Sequence, residues 1–313
     1  MIRLQYKVDL LYDITGADGA DFVFNIHVAE TACQTIESEQ LVLNQPASPD
    51  IAVDARSGTR FLRVHAAAGP LQVSYAASVR LEHHLAEPDT LREVPPRELP
   101  VDVLPYVYPS RYCQSDRLLK LAFNQFGQLW PGYSRVLAVQ HWVQQHVEFK
   151  SNTSNVNTSA VDTLIEQVGV CRDFTHLMIA LCRALNIPAR IATGTDYGAD
   201  PALGPPDFHA YVEVYLGDRW YLFDPSGTGI PMGFLRLGTG RDAADVAFAT
   251  MFGQVQPWAP RIMVQAVEQD GAQLPHHCRE AISTSAPATP TGRDWTSLPS
   301  KATSPPPSYQ LPD

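Results

Sequence analysis

Apolar and polar residues alternate from the start of the chain. Ile2, Leu4, Tyr6, Val8 and Leu10 share one parity, as do Phe22, Phe24, Ile26 and Val28. Leu62 and Val64 continue the pattern, and Leu71, Val73, Tyr75, Ala77, Val79 and Leu81 complete it. A period of two puts one side of a strand in a core and the other in water. Several such runs in succession predict an antiparallel β-sandwich over residues 1–85, with one wet face per sheet.

The pattern breaks at residues 86–110, where prolines stand at 88, 95, 96, 100, 105 and 109. This composition predicts an extended linker. Helical spacing follows. Ser115 is placed to cap a helix carrying Leu118, Leu119, Ala122, Phe123 and Phe126, and Ser134 one carrying Val136, Leu137 and Val143. Ser151 to Ser159 is a polar loop, which Ser159 closes by capping Ala160–Glu166. Phe174, Leu177, Met178, Leu181, Cys182 and Leu185 then form one apolar stripe of an amphipathic helix, ended by Asn186 and Pro188.

Ala189–Thr195 reads as a strand and Asp196–Asp207 as a loop. Two β-rich runs, Phe208–Leu216 and Arg219–Pro225, flank Gly217-Asp218 and predict a hairpin. Residues 228–260 are rich in Gly, Pro and aromatics, with Arg241, Asp242 and Asp245 in a turn and short helix where Arg241 and Asp242 suit an ion pair. From Ser283 the composition shifts to Pro, Ser, Thr and Ala, which predicts a disordered tail. The expected architecture is α+β: a sandwich at 1–85, a linker at 86–110, a second domain at 111–282 with helices on an antiparallel sheet, and a tail at 283–313.

Composition narrows the function. The 313 residues are 45% hydrophobic and 18% charged, enough for a sizeable core. A net charge of -10 argues against a nucleic-acid binder. No run of 18 apolar residues would span a membrane, and the alternating N-terminus does not read as a signal peptide. Five scattered cysteines give neither a disulfide framework nor a zinc pattern, which fits a reducing cytoplasm. His83-His84 and His276-His277-Cys278 lack further ligands, so no metal or cofactor is expected.

The chemistry centres on Cys171. It opens the long helix, where unpaired N–H groups and the helix dipole favour an anion. With an imidazolium nearby, such a thiol can ionise at a pKa of roughly 3.5–7.5. Gly169 permits a tight turn and leaves room for a substrate. In the hairpin, Tyr211 faces Asp224, so His209 lies on the same sheet face as Asp224, one diagonal step of roughly 7–8 Å away. Nucleophile, base and orienter are thereby supplied. Cys182 lies on the apolar stripe and should be inert. Cys33 and Cys113 read as structural, His141 and His146 as solvated. The Cys171 N–H is the expected first oxyanion donor; Gln167, Asn155 and Asn157 remain open as the second.

Gly-Val-Cys-Arg-Asp-Phe at 169–174, His-Ala-Tyr-Val-Glu-Val at 209–214 and Asp-Pro-Ser at 224–226 resemble the signature blocks of the bacterial transglutaminase-like superfamily. The resemblance extends through 181–190 and 238–246 and back to 109–113, and it covers roughly residues 1–255. It implies a papain-like core beside a β-rich N-terminal domain, with Cys171 as nucleophile, His209 as base and Asp224 as orienter. The expected reaction is acyl transfer through a thioester on a peptide or protein amide. Hydrolysis is favoured, transamidation to an amine is the alternative, and a non-catalytic binding module on the same fold is the other class of reading.

Overall fold

A computed structural model describes residues 1–198, 206–268 and 271–287. The predicted N-terminal alternation becomes strands β1 (Ile2–Ile14), β2 (Ala20–Phe24), β3 (Gln34–Leu43), β4 (Asp50–Val53), β5 (Arg60–Ala66), β6 (Gly69–Leu81) and β7 (His84–Ala86). Helices α1 (Ser115–Phe126) and α2 (Tyr133–His146) follow, then β8 (Glu148–Phe149), α3 (Ala160–Glu166), β9 (Val168–Gly169) and α4 (Cys171–Ala184). The chain continues through β10 (Ala189–Asp196), β11 (His209–Leu216), β12 (Arg219–Phe223) and β13 (Phe234–Gly240). It ends in β14 (Ala249–Phe252), β15 (Val255–Pro257), β16 (Arg261–Ala266) and β17 (Ala281–Ser283). The fold is α+β with antiparallel sheets.

Two sheets make the sandwich. One has the order β15-β1-β6-β3, with β16 also on β1; the other has the order β14-β2-β5-β4. The even-numbered residues of β1 from Ile2 to Ile14 are all buried, and they pack against Phe22, Phe24, Leu62 and Val64. The Tyr12, Phe22 and Phe24 rings lie 5.2–5.7 Å apart at the centre.

The structure departs from the expected domain limits. Strands β14, β15 and β16, at 249–266, were expected in the second domain. They return instead to pair with β2 and β1. Strand edges left open by β1 and β2 carry unpaired N–H and C=O groups, and these strands satisfy them. The linker is also built in. β7 pairs with β17, which pairs with β12, so both the start of the linker and the first residues of the expected tail extend the core sheet. Between them the prolines set short 3₁₀ turns at Pro88–Thr90, Pro96–Glu98 and Leu104–Val107, because proline fixes φ and lacks a donor. Leu99 and Val103 are buried against Tyr215 and Trp220. The rest of the expected tail, 288–313, lies outside the described residues, as does 199–205 of the loop before the hairpin.

The core sheet runs β13-β10-β11-β12-β17-β7. Helix α4 lies between this sheet and α1, α2 and α3. Every residue from Asp173 to Ala184 is buried, so α4 is enclosed on all sides and carries no wet face. Asn186 takes a left-handed φ of 62° just beyond it. The predicted caps shift by a residue or more: Ser115 and Ser134 lie inside first turns, behind Gln114 and Gly132. Only Ser159 stands where predicted, its N–H donating to the Asp162 carboxylate at 2.9 Å. On α1, Leu118, Ala122 and Phe126 face inward, while Leu119 and Phe123 are exposed. Among the described residues no helix is long and apolar enough to cross a membrane.

Candidate active site

Cys171 is the first residue of α4. The turn before it is held by Asp173, whose buried carboxylate accepts the Val170 N–H at 2.9 Å and the Ser154 hydroxyl at 2.9 Å. Arg172 pairs with the same carboxylate at 3.2 Å and donates to the Asn155 carbonyl at 2.7 Å and to the Ser154 hydroxyl. The polar loop at 151–159 is thus pinned to the helix opening. Gly169 is needed for this packing, since a Cβ there would lie 2.7 Å from the Asp173 Cβ. Farther along the helix, the Thr175 hydroxyl donates to the Ala210 carbonyl at 3.0 Å and docks α4 on β11.

That docking brings the thiol to the start of β11. Cys171 Sγ lies 4.0 Å from the carbonyl oxygen of Phe208, the residue before His209. The hairpin has the predicted register, with Leu216 opposite Arg219 and Val212 opposite Phe223. His209 Nε2 consequently reaches Asp224, 3.6 Å from Oδ1. Asp224 itself is firmly held. Its Oδ1 accepts the Ser226 N–H at 3.0 Å and the Ser226 hydroxyl at 2.6 Å, and its Oδ2 accepts the Gly229 N–H at 2.9 Å. Gln144 on α2 donates to the Asp224 carbonyl at 3.0 Å. The three residues predicted as nucleophile, base and orienter are therefore brought to one place.

A fourth residue joins them from a stretch whose sequence predicts a loop. Asp196, at the end of β10, sets its Oδ2 3.6 Å from His209 Nδ1. Tyr211 packs its ring edge-on to His209 at 4.7 Å. The available signal was parity: Gly194 pairs with His209 and Ala192 with Tyr211, so Asp196 falls on their face.

The electrostatics differ from the expectation of an early-ionising thiol. Burial pushes Cys171 up to about 12; nearby backbone donors lower it, while Asp207 and Asp224 raise it further. Burial would pull His209 down, but Asp196 and Asp224 outweigh it and lift the ring to about 9. Asp224 stays below the usual carboxylate range, because His209, Ser226 and the Gly229 N–H overcome its burial. Burial raises Asp196 to about 6. Burial thus favours the neutral thiol, and the two carboxyl groups favour the charged form of the ring that lies between them.

The remaining candidates sort by burial. Cys113 and Cys182 are fully buried, and burial raises both thiols. His146 is not simply solvated, since it stacks on Trp142 with ring centroids 3.8 Å apart. His83 meets the Met232 carbonyl at 3.0 Å, and His277 and Cys278 line a groove of about 200 Å³ beside Asp224 and Tyr133. Arg241 pairs with Asp245 at 2.9 Å rather than with Asp242. Asp242 instead accepts the Tyr112 and Ala244 N–H groups at 2.9 and 3.0 Å. Of the possible second oxyanion donors, Gln167 ends α3 with a left-handed φ of 56°. The Asn155 Oδ1 is occupied by the Asn157 N–H at 2.8 Å.

Sequence and structure comparisons bear on the family and the fold. The model of the Transglutaminase-like superfamily matches residues 120–225, from α1 through Asp224. The crystal structure of a "Putative Cysteine Protease" from Cytophaga hutchinsonii superposes with a TM-score of 0.83 at 36% identity, over 90% of this chain and 97% of that one. The chain belongs to the transglutaminase-like superfamily. Among curated relatives, uncharacterized protein ML0607 of Mycobacterium leprae is 31% identical over 117 residues, 36% of this chain and 42% of its own length. Uncharacterized protein Rv2569c of Mycobacterium tuberculosis is 29% identical over 109 residues, 31% of this chain and 35% of its own length. The match thus spans less than half of these relatives. Superfamily membership and the Cytophaga neighbour support a cysteine-dependent role of peptidase or transglutaminase type.

Proposed function

We propose that the protein hydrolyses a peptide or carboxamide through a thioester on Cys171. The His209 ring first gives up its proton to solvent; the neutral ring then takes the thiol proton as Sγ attacks the carbonyl carbon, and the oxyanion forms against the Cys171 N–H at the opening of α4. The imidazolium then gives its proton to the leaving amine as the C–N bond breaks. Water attacks the thioester with His209 again as base, and the acid product and the thiol are released. Asp224 orients the ring through Nε2 and stabilises its cation. The observation that carries this reading is the approach of His209, on the strand that begins beside the thiol, to an Asp224 held by three donors. A gap of 3.6 Å is longer than a formed hydrogen bond, as is common before substrate tightens such a site.

The thioester is shared with transamidation, in which an amine replaces water. The protonated thiol favours a different second reading, a binding module without turnover. One experiment addresses all three. A panel of peptides and carboxamides is incubated with and without amines, and protein and products are followed by mass spectrometry. Acid products and an acyl adduct on Cys171, both lost in Cys171→Ala, are expected. Amide products formed only with amines would assign transamidation. Substrate bound equally by wild type and Cys171→Ala without any adduct would leave the binding module. Normal turnover by Cys171→Ala would end the cysteine mechanism.

A further inference from the structure

His209 faces one more acid than a nucleophile, a base and an orienter require. Asp196 reaches it through a specific local geometry. Gly194, directly opposite His209, carries no side chain, and a Cβ there would lie 1.9 Å from the Leu235 carbonyl oxygen. The pairing of β10 with β11 runs without a shift up to Gly194 and His209, whereas the irregularity between β10 and β13 places its extra residue, Leu237, on β13. Asp196, two residues on, therefore approaches His209 along the diagonal. Gly229 keeps the space around it open. A Cβ on Gly229 would stand 2.8 Å from Asp196 Oδ2 and 2.5 Å from the Tyr211 hydroxyl.

The two acids are held differently. Asp224 accepts two backbone N–H groups and a hydroxyl. The Asp196 side chain is 1% exposed, and neither of its oxygens accepts a well-formed hydrogen bond, although the Tyr211 hydroxyl stands beside them. A buried carboxylate left so is costly unless a cation faces it. The cation available is the His209 ring, whose Nδ1 lies 3.6 Å away.

We propose that Asp196 is a positioning residue that holds the Nδ1 edge of His209, so that the imidazole rests between two acids and must leave Asp196 to serve the Cys171 thiol. The assignment rests on the proposed role of His209 as base. The titratable groups facing His209 are Asp196 from β10, Asp224 after β12, Asp207 before β11 and Tyr211 on its own strand, with Cys171 at the opening of α4 against the carbonyl of the preceding Phe208. Asp207 is exposed to solvent, and Asp224 is fixed in its charged form by its donors. Asp196 is left as the acid whose charge can change near neutrality, and it controls how firmly the ring is held.

The test is a titration of the His209 ring nitrogens by NMR in wild type and Asp196→Asn, from acid to alkaline pH. In wild type, His209 should titrate above the usual value of about 6.5. Its shift should also show a second inflection near pH 6, as Asp196 takes a proton. Asp196→Asn should lower the His209 midpoint by roughly 1–3 units, the effect of removing one adjacent opposite charge, and should erase the second inflection. A purely structural Asp196 would move neither. An unchanged midpoint in a folded variant overturns the proposal. Should the variant not fold, a wild-type titration without the second inflection overturns it equally. Neither readout needs turnover, so a clamp seen without acyl transfer would overturn the hydrolase reading and leave the clamp standing.

Discussion

Gln34, at the start of β3 in the sandwich, pairs with the backbone of Arg236 on β13 of the core sheet. Its Oε1 accepts the Arg236 N–H at 2.9 Å, and its Nε2 donates to the Arg236 carbonyl at 2.8 Å and the Ala29 carbonyl at 2.6 Å. A buried side-chain amide thus completes a strand edge that no neighbouring strand reaches. Gln34→Ala would leave the Arg236 N–H and the Ala29 carbonyl without this partner, while the Arg236 carbonyl keeps the Ala29 N–H at 3.0 Å, at a cost of about 1–3 kcal/mol. The denaturant midpoint should fall with little change in slope. An unaltered midpoint would mean that water replaces the amide.

Glu213 joins the same strand to β10 and the C-terminal segment. It accepts Arg190 at 2.7 Å, Arg236 at 3.0 Å and Thr284 at 2.6 Å. Burial would raise its pKa, but Arg190, Arg236 and Thr284 hold it down to about 2. Because the folded value is depressed, this contribution is full above the unfolded value of 4.5 and is lost as pH falls toward 2. Glu213→Gln should flatten that part of the acid stability curve and cost about 3–5 kcal/mol at neutral pH, the effect of leaving buried charge uncompensated. Equal acid slopes in variant and wild type would refute the assignment.

His209 predicts the opposite limb. Its folded value is raised to about 9, so its contribution is full below the unfolded value of 6.5 and is lost as pH climbs through 9. Thermal midpoints of wild type should therefore decline over that alkaline window, and His209→Gln should decline less. A steeper decline in the variant would contradict the two-carboxylate environment.

Thiol labelling tests the resting state. Cys171 is partly exposed, whereas Cys113 and Cys182 are fully buried. Iodoacetamide should reach Cys171 in the folded protein and spare the other two until unfolding. Because burial raises its pKa to about 12, the Cys171 rate should keep climbing with alkalinity. A plateau already reached below pH 7 would instead reveal a thiolate–imidazolium pair in the resting enzyme.

Gly229→Ala should disturb the site without touching any proposed catalytic atom. The added methyl would meet the Tyr211 hydroxyl and the Asp196 carboxylate. Overpacking of this kind costs about 1–3 kcal/mol. A loss of stability accompanied by a lower His209 midpoint is the expected result, and wild-type values of both would show that the loop after β12 yields instead.

The sequence by itself determined much of the fold and the predicted triad. Period-two alternation is written residue by residue in β1 and β6, and a two-residue turn fixes hairpin register, so the placing of His209 beside Asp224 needed only local geometry. The start of α4 was legible in the same way. Tertiary structure decided the rest, because those features join residues far apart in sequence. Strands β14 to β16 are short and half-exposed, and nothing local shows that they close the edges of β1 and β2 some 240 residues earlier. Local sequence predicts a loop from Asp196 onward, since its partner is fixed only by the pairing of β10 with β11. The surroundings of the thiol follow the same rule: the helix dipole is visible in sequence, but the partial burial that opposes ionisation arises only when α4 is enclosed by sheet and helices.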